Sequence, residues 1–340
     1  MSPSERVGQL LTVGLDVNAG RNSLDALVRD RNLGGVILLG GWYDGAERVR
    51  AATRHLESLT DGSDSKPGLF LAADQEGGNV QQLRGDGFTR IPTALAQGEL
   101  SPSQLARRAA GWAEELRGAG INVNLAPVAD TVPAELGRAN APIGRWDRQF
   151  SSDPTVVGRM VGAFIEGMHR GEVAATIKHF PGIGRITGNT DLTAEGITDR
   201  TTTASDPYLR PFGAGIKAGA DFVMVGSAIY SRIDPGVNAT FSKAIITDLL
   251  RHQLGYDGVV ITDDVGAAKA VAAIPVGLRA TRFVDAGGDI VLTARPDTVP
   301  TMHRALTSRM SADRAFAAKV TASATRVMAL KVELGLASCS

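Results

Sequence analysis

Val173-Ala174-Ala175-Thr176-Ile177-Lys178-His179-Phe180-Pro181-Gly182-Ile183-Gly184-Arg185-Ile186-Thr187-Gly188-Asn189-Thr190-Asp191 is the stretch from which the rest of the chain can be read. Its first five residues are apolar or β-branched with no alternation, the pattern of a strand buried on both faces. The run stops at a lysine and a histidine, and a loop with glycines at 182, 184 and 188 leads on to a carboxylate. Apolar runs of the same kind occupy 10–15, 36–39, 69–73, 121–126, 173–178, 221–225, 258–262 and 289–292.

Helical punctuation lies between them. Ser101 precedes Pro102, a capping hydroxyl before a proline at the first helical position, and that segment closes at Gly118 and Gly120. Asp153-Pro154 repeats the device, and its helix runs through Val157, Met160, Val161, Phe164 and Met168 to Gly171. Thr240 reads as the opening of a helix over 241–254 that Gly255 ends, and 312–334 reads as one or two further helices. Eight strand-then-helix units predict an α/β fold, a (β/α)8 TIM barrel, as one domain over 1–340 with C-terminal helices. The runner-up, a doubly wound open sheet, usually has fewer strands. Composition makes 61–67 a surface loop, and the weak apolar periodicity of 130–153 makes it a loop over one end of the barrel.

Bulk properties narrow the partners. The chain has 340 residues, 43% hydrophobic and 21% charged, with Lys plus Arg equal to Asp plus Glu at 36 each. A neutral chain lacks the basic surplus that binding a phosphate backbone needs, so no nucleic-acid partner is expected. The one cysteine, Cys339, cannot form an internal disulfide. Residues 1–6 do not read as a signal peptide, and no apolar run approaches the ~18 residues of a membrane span. A cytoplasmic, soluble protein is expected, of a size and type that leave its oligomeric state open.

Barrel chemistry gathers where strands end. The third run is followed by Asp74-Gln75-Glu76-Gly77-Gly78, the fourth by Pro127-Val128-Ala129-Asp130, the sixth by Gly226-Ser227 and the seventh by Asp263-Asp264, while the fifth ends in Lys178-His179. Two carboxylates about a pocket can break a glycosidic bond, one attacking the anomeric carbon and the other exchanging a proton with the leaving oxygen. Asp263, at the tip of a buried strand, suits the first role; Asp264 would point to the other side and fix a loop. Asp74 could bind two sugar hydroxyls. Lys178 could also be a Schiff-base nucleophile, as in an aldolase. A phosphate-handling barrel would carry a glycine-rich loop late in the chain, and Thr293-Ala294-Arg295-Pro296-Asp297 is not one. No His/Cys/Asp cluster has metal-ligand spacing and no Gly-x-Gly-x-x-Gly follows the first strand, so neither metal nor cofactor is expected.

Taken together, Val7-Gly8-Gln9-Leu10-Leu11, Leu33-Gly34-Gly35-Val36-Ile37-Leu38, Ala73-Asp74-Gln75-Glu76-Gly77-Gly78, Asn122-Val123-Asn124-Leu125-Ala126-Pro127-Val128, Lys178-His179-Phe180-Pro181-Gly182 and Val260-Ile261-Thr262-Asp263-Asp264 resemble glycoside hydrolase family 3, within it the single-domain β-N-acetylglucosaminidases. The resemblance implies a (β/α)8 barrel, a carbohydrate substrate and a retaining mechanism through a glycosyl-enzyme intermediate. It implies Asp263 as nucleophile, and Asp74, Arg148, Lys178 and His179 as residues that hold the sugar.

The acid/base loop departs from the family pattern. The family typically reads Lys-His-Phe-Pro-Gly-His-Gly and ends in Asp-Ser-His, whose histidine is the acid/base and whose aspartate is its partner. Here Ile183 stands for the first histidine, Asn189 for the aspartate and Asp191 for the catalytic histidine. Gln82 and Ser227 stand where an arginine and a histidine are expected. Three accounts are open: Asp191 replaces histidine as acid/base; the leaving group or acceptor is phosphate-like, as in a phosphorylase or transglycosylase; or the site binds sugar without turning it over.

Overall fold

The computed structural model describes residues 1–20, 22–60, 62 and 66–338. The expected surface loop over 61–67 falls largely outside the described residues, as does Cys339. Each apolar run forms a strand: β1 Leu11–Asp16, β2 Gly35–Leu39, β3 Phe70–Ala73, β4 Val123–Asn124, β5 Ala174–Phe180, β6 Phe222–Val225, β7 Val259–Thr262 and β8 Val291–Thr293. They pair in parallel in the order β7-β6-β5-β4-β3-β2-β1-β8. The ring closes where Ile290 donates to the Val260 carbonyl and Thr262 donates to the Ile290 carbonyl, both at 2.9 Å. The result is the TIM barrel expected of eight strand–helix units.

Absence of alternation in the runs has its explanation in two apolar shells. Phe70, Ala72, Val123, Phe222, Met224, Val259 and Ile261 point into the barrel. Their neighbours Leu71, Ala73, Val223, Val225 and Val260 pack beneath the helices. Phe70 meets Phe222 across the interior edge to face, ring centres 5.2 Å apart.

The helices of seven or more residues are α1 Pro3–Gln9, α2 Asp25–Arg31, α3 Ala46–Glu57, α4 Pro102–Gly118, α5 Pro154–Arg170, α6 Arg210–Lys217, α7 Ala244–Gln253, α8 Val276–Asp285, α9 Val299–Ala312 and α10 Arg314–Glu333 among the described residues. Among the described residues none is long and apolar enough to cross a membrane. The caps read from sequence form: Gln104 donates its backbone N–H to Ser101 Oγ while Ser101 N donates to Gln104 Oε1, and Thr155 N donates to Asp153 Oδ1 at 2.7 Å. The tail divides at Asp313, which caps α10 by accepting from Ala315 N and Phe316 N. Val327 and Leu330 of α10 plug the lower end of the barrel.

Thr240 does not open α7. Asn238 caps a short turn, Ala239–Phe241, and α7 starts at Ala244 with a wider, i to i+5 winding. The buried Thr240 hydroxyl donates to the Gly226 carbonyl at 3.0 Å, at the tip of β6. A hydroxyl used by a strand end is lost to helix capping, and the sequence signal for the two is the same.

The segment 130–153 does cover the upper end of the barrel, but it is packed rather than loose. Asn140, fully buried, accepts from Ile143 N and Gly144 N at 3.0 and 2.8 Å. Its Nδ2 donates to the Ile183 and Ile186 carbonyls at 2.9 and 2.8 Å. One amide therefore ties this segment to the loop after β5. Asn140→Ala deletes four hydrogen bonds to buried backbone, and a loss of about 2–4 kcal/mol in unfolding free energy is expected from urea denaturation. A loss below about 0.5 kcal/mol, typical of exposed positions, would show that the two loops hold together without it.

Candidate active site

A cavity of about 310 Å3 opens at the ends of the strands, and Asp74, Arg148, Lys178, His179, Asp191 and Asp263 all line it. Asp74 follows β3 and Asp263 follows β7, both at strand tips; Lys178 and His179 belong to β5. Pairing between β5 and β6 shifts register between Ile177 and Phe180, and in this irregular stretch both consecutive side chains face the cavity. Arg148 and Asp191 arrive on loops. All six residues singled out from the sequence are brought together.

Charged groups at the floor interlock. Lys178 Nζ lies 2.5 Å from Asp74 Oδ1 and 2.6 Å from Glu76 Oε1. Arg148 clasps Glu76 in a fork, Nε to Oε2 at 2.8 Å and Nη2 to Oε1 at 2.7 Å, and its Nη1 donates to the Pro142 carbonyl. Burial alone would raise the Glu76 carboxyl, but Arg148 and then Lys178 outweigh it and hold it down at about 2. Burial likewise works against the Lys178 ammonium, and the charges of Asp74 and Glu76 more than offset it, so its pKa is raised. A lysine whose Nζ is held between two carboxylates is built to stay charged, which disfavours the aldolase reading.

Glu76 is the member of this network that sequence reading did not single out. Its signal was available: in an extended segment side chains two apart share a face, so 76 follows 74. Asp130 is a second such group. Fully buried, it holds His179 Nδ1 at 2.7 Å and accepts from the backbone N–H of Ile183 at 2.7 Å. With Nδ1 engaged by Asp130, Nε2 is the ring's remaining polar atom.

Asp263 Oδ1 accepts the backbone N–H of Asp264 at 2.8 Å. Asp264 fixes a loop as expected, accepting from the N–H groups of Gly266, Ala267 and Ala294, but it does not leave the pocket for the other side of the strand: past the end of β7 it lines the same cavity as Asp263. Asp191 keeps contact with solvent at the cavity mouth, yet protein atoms crowd it on the pocket side. That crowding first, and the negative charge of Asp263 second, push its carboxyl up to about 6, against the opposing charges of His179 and Arg148. Asn189 Oδ1 accepts the Asp191 N–H at 2.9 Å, so the residue in the aspartate's place shapes the turn.

The other substituted positions have structural partners. Ile183 is a buried part of the wall, Gln82 Oε1 accepts from Gly41 N at 3.0 Å, and Ser227 Oγ lies 3.3 Å from Thr240 Oγ1. The loop's glycines serve close packing: a Cβ at Gly184 would stand 1.9 Å from the Thr131 carbonyl oxygen, and one at Gly188 would stand 2.0 Å from that of Glu195. With Tyr230 OH donating to the Gly182 carbonyl at 2.8 Å, the loop is seated on the barrel.

Comparison with known proteins identifies the family and the fold. The family description "Glycosyl hydrolase family 3 N terminal domain" matches residues 3–330. A beta-hexosaminidase of Stenotrophomonas maltophilia (strain K279a) is 40% identical over 247 residues, 68% of each chain. One of Xylella fastidiosa (strain M23) is 38% identical over 253 residues, 72% of each chain. The crystal structure of a beta-N-acetylhexosaminidase from Beutenbergia cavernae superimposes with a TM-score of 0.93 at 45% identity, covering 98% of this chain and 99% of that one. A family 3 beta-N-acetylglucosaminidase from a Paenibacillus species gives a TM-score of 0.89 at 28% identity, covering all of this chain and 64% of that one. The chain belongs to glycoside hydrolase family 3.

Proposed function

We propose that this glycoside hydrolase is a retaining exo-acting β-N-acetylhexosaminidase, with Asp263 as nucleophile and Asp191 as acid/base. The observation that carries the reading is the joint placement of Asp191 and Asp263 on one cavity, with Asp191 pushed up to about 6. The beta-hexosaminidase relatives support the sugar class.

In this reading Asp263 attacks the anomeric carbon while protonated Asp191 gives its proton to the departing glycosidic oxygen, leaving a glycosyl ester on Asp263. Asp191, now a carboxylate, then takes a proton from water, whose oxygen attacks the same carbon and releases Asp263. Asp74 accepts hydrogen bonds from sugar hydroxyls, and His179 turns its Nε2 toward them. Lys178 and Arg148 donate to sugar oxygens and keep the pocket floor rigid through Glu76. A carboxyl in place of histidine is chemically sufficient, since most glycosidases use one.

Three outcomes test it. Asp263→Ala should abolish turnover of aryl N-acetyl-β-glucosaminides, and a 5-fluoro glycoside should label Asp263; a label on any other residue would end the nucleophile assignment. Asp191→Asn should lower kcat/KM by ~10²–10⁴ on a glycoside with a poor leaving group and far less on a dinitrophenyl glycoside. A carboxyl raised to about 6 is protonated below that pH and ionised above it. Activity on the poor substrate should therefore fall as pH rises through about 6, and that alkaline limb should vanish in Asp191→Asn. A limb that persists unchanged in the variant would assign the proton to another group.

A further inference from the structure

Asp264 lines the same cavity as the two residues assigned to the reaction. Its acceptor sites are engaged by backbone. Oδ1 accepts from Gly266 N at 2.7 Å and from Ala294 N, just past β8, at 2.8 Å; Oδ2 accepts from Ala267 N at 3.0 Å. A carboxylate holding three N–H donors is poorly placed to exchange a proton with substrate, and well placed to fix the segment that supplies them.

That segment carries the dock for the acid/base loop. Beyond Ala267 it forms the turn Lys269–Val271, where Lys269 N donates to the Asp191 carbonyl at 3.2 Å and Ala270 N donates to the Thr190 carbonyl at 3.0 Å. From below, Arg279 of α8 binds both arms of the segment, donating to the carbonyls of Val265, Ala272 and Ile274 at 2.6, 3.1 and 2.7 Å. Hydrogen bonds at its two ends and the covalent chain between them therefore connect the residue after Asp263, through the 266–270 segment, to the backbone of Asp191 itself.

We propose that Asp264 is a positioning residue that sets where Asp191 stands relative to the leaving oxygen, by bracing the segment on which the Asp191 loop docks. The proposal rests on the acid/base role of Asp191 given above. Its logic is geometric: proton transfer needs the donor within hydrogen-bond reach of the leaving oxygen, and a misplacement of ~1 Å costs ~100-fold in rate. Nucleophilic attack by Asp263 depends on a different set of contacts. Its backbone N–H donates to Val225 O at 3.0 Å, and its Oδ1 accepts the Asp264 backbone N–H, which survives any side-chain change at 264.

The test uses full-length variants and two N-acetyl-β-glucosaminides, a dinitrophenyl glycoside that needs no acid and an alkyl glycoside that does. Asp264→Ala should lower kcat/KM on the alkyl glycoside by ~100-fold, with the dinitrophenyl glycoside nearly unaffected. Asp264→Asn keeps an Oδ1 acceptor for Gly266 and Ala294 and should restore most of the loss. Lys269→Pro covers the case in which Asp264→Ala does not fold. Position 269 opens its turn, where proline is tolerated, and the change replaces the N–H that binds the Asp191 carbonyl with a ring Cδ, along with loss of the exposed lysine side chain. It should give the same leaving-group-selective loss, at about 10-fold for one tether. Equal losses on both glycosides in Asp264→Ala, or wild-type behaviour of Lys269→Pro on the alkyl glycoside, would overturn the proposal. Asp191→Asn, run alongside, separates the two layers. If it fails to distinguish the glycosides, the acid/base reading itself is wrong; if it distinguishes them while the position 264 and 269 variants do not, only the brace falls.

Discussion

Glu76, buried between the ammonium of Lys178 and the guanidinium of Arg148, is the constraint on which the mouth of the barrel is built. Each of these charges, taken from water alone, would cost several kcal/mol. Held together, with Asp74 closing the group, they form two negative and two positive charges in mutual contact. The arrangement is tolerable only if all members keep their places, because removing one strands another. Three strand ends or loops are thereby locked to one another: the segment after β3 through Asp74 and Glu76, β5 through Lys178, and the 130–153 segment through Arg148.

Neutrality of that floor has an electrostatic consequence for the remaining groups. Asp74 and Glu76 are balanced by Lys178 and Arg148, whereas Asp263 makes no ion pair among the described residues. A bare carboxylate there favours positive charge developing at an anomeric carbon, and the same charge discourages ionisation of Asp191. One asymmetry, a compensated floor beneath an uncompensated wall, would thus supply both halves of a two-carboxylate mechanism.

Much of this was legible in the chain. Strands buried on both faces announce themselves by unbroken apolar runs, and all eight were found because the barrel interior and the helical shell each demand apolar side chains. Strand tips then delivered Asp74, Lys178, His179 and Asp263. What stayed hidden is what depends on distance through space. Arg148 and Glu76 lie 72 residues apart, and nothing in either segment states that their side chains form a fork. Asp130 stood in plain view at a strand end, but its service to His179 Nδ1 is a matter of side-chain direction. Thr240 shows the opposite failure, a correct local signal claimed by a tertiary partner. Nor does the sequence show that Gly184 and Gly188 are there for close packing against backbone oxygens that leave no room for a Cβ.

The altered acid/base loop is internally consistent in physical terms. A histidine that donates a proton near neutrality benefits from an aspartate to orient its ring and stabilise the cation; a carboxylic acid benefits from the reverse, removal of stabilising charge and water. Asn189 brings no charge to the position beside Asp191 and spends its oxygen on the turn. Ile183, buried at 2% exposure where the family pattern has a histidine, adds apolar wall instead of a cationic group. Both changes move the local environment in the direction that raises a carboxyl's proton affinity. Had histidine merely been lost from an idle site, there would be no physical reason for its neighbours to change in the sense that favours a carboxylic acid. The set of substitutions fits the proposed exchange of one proton donor for another.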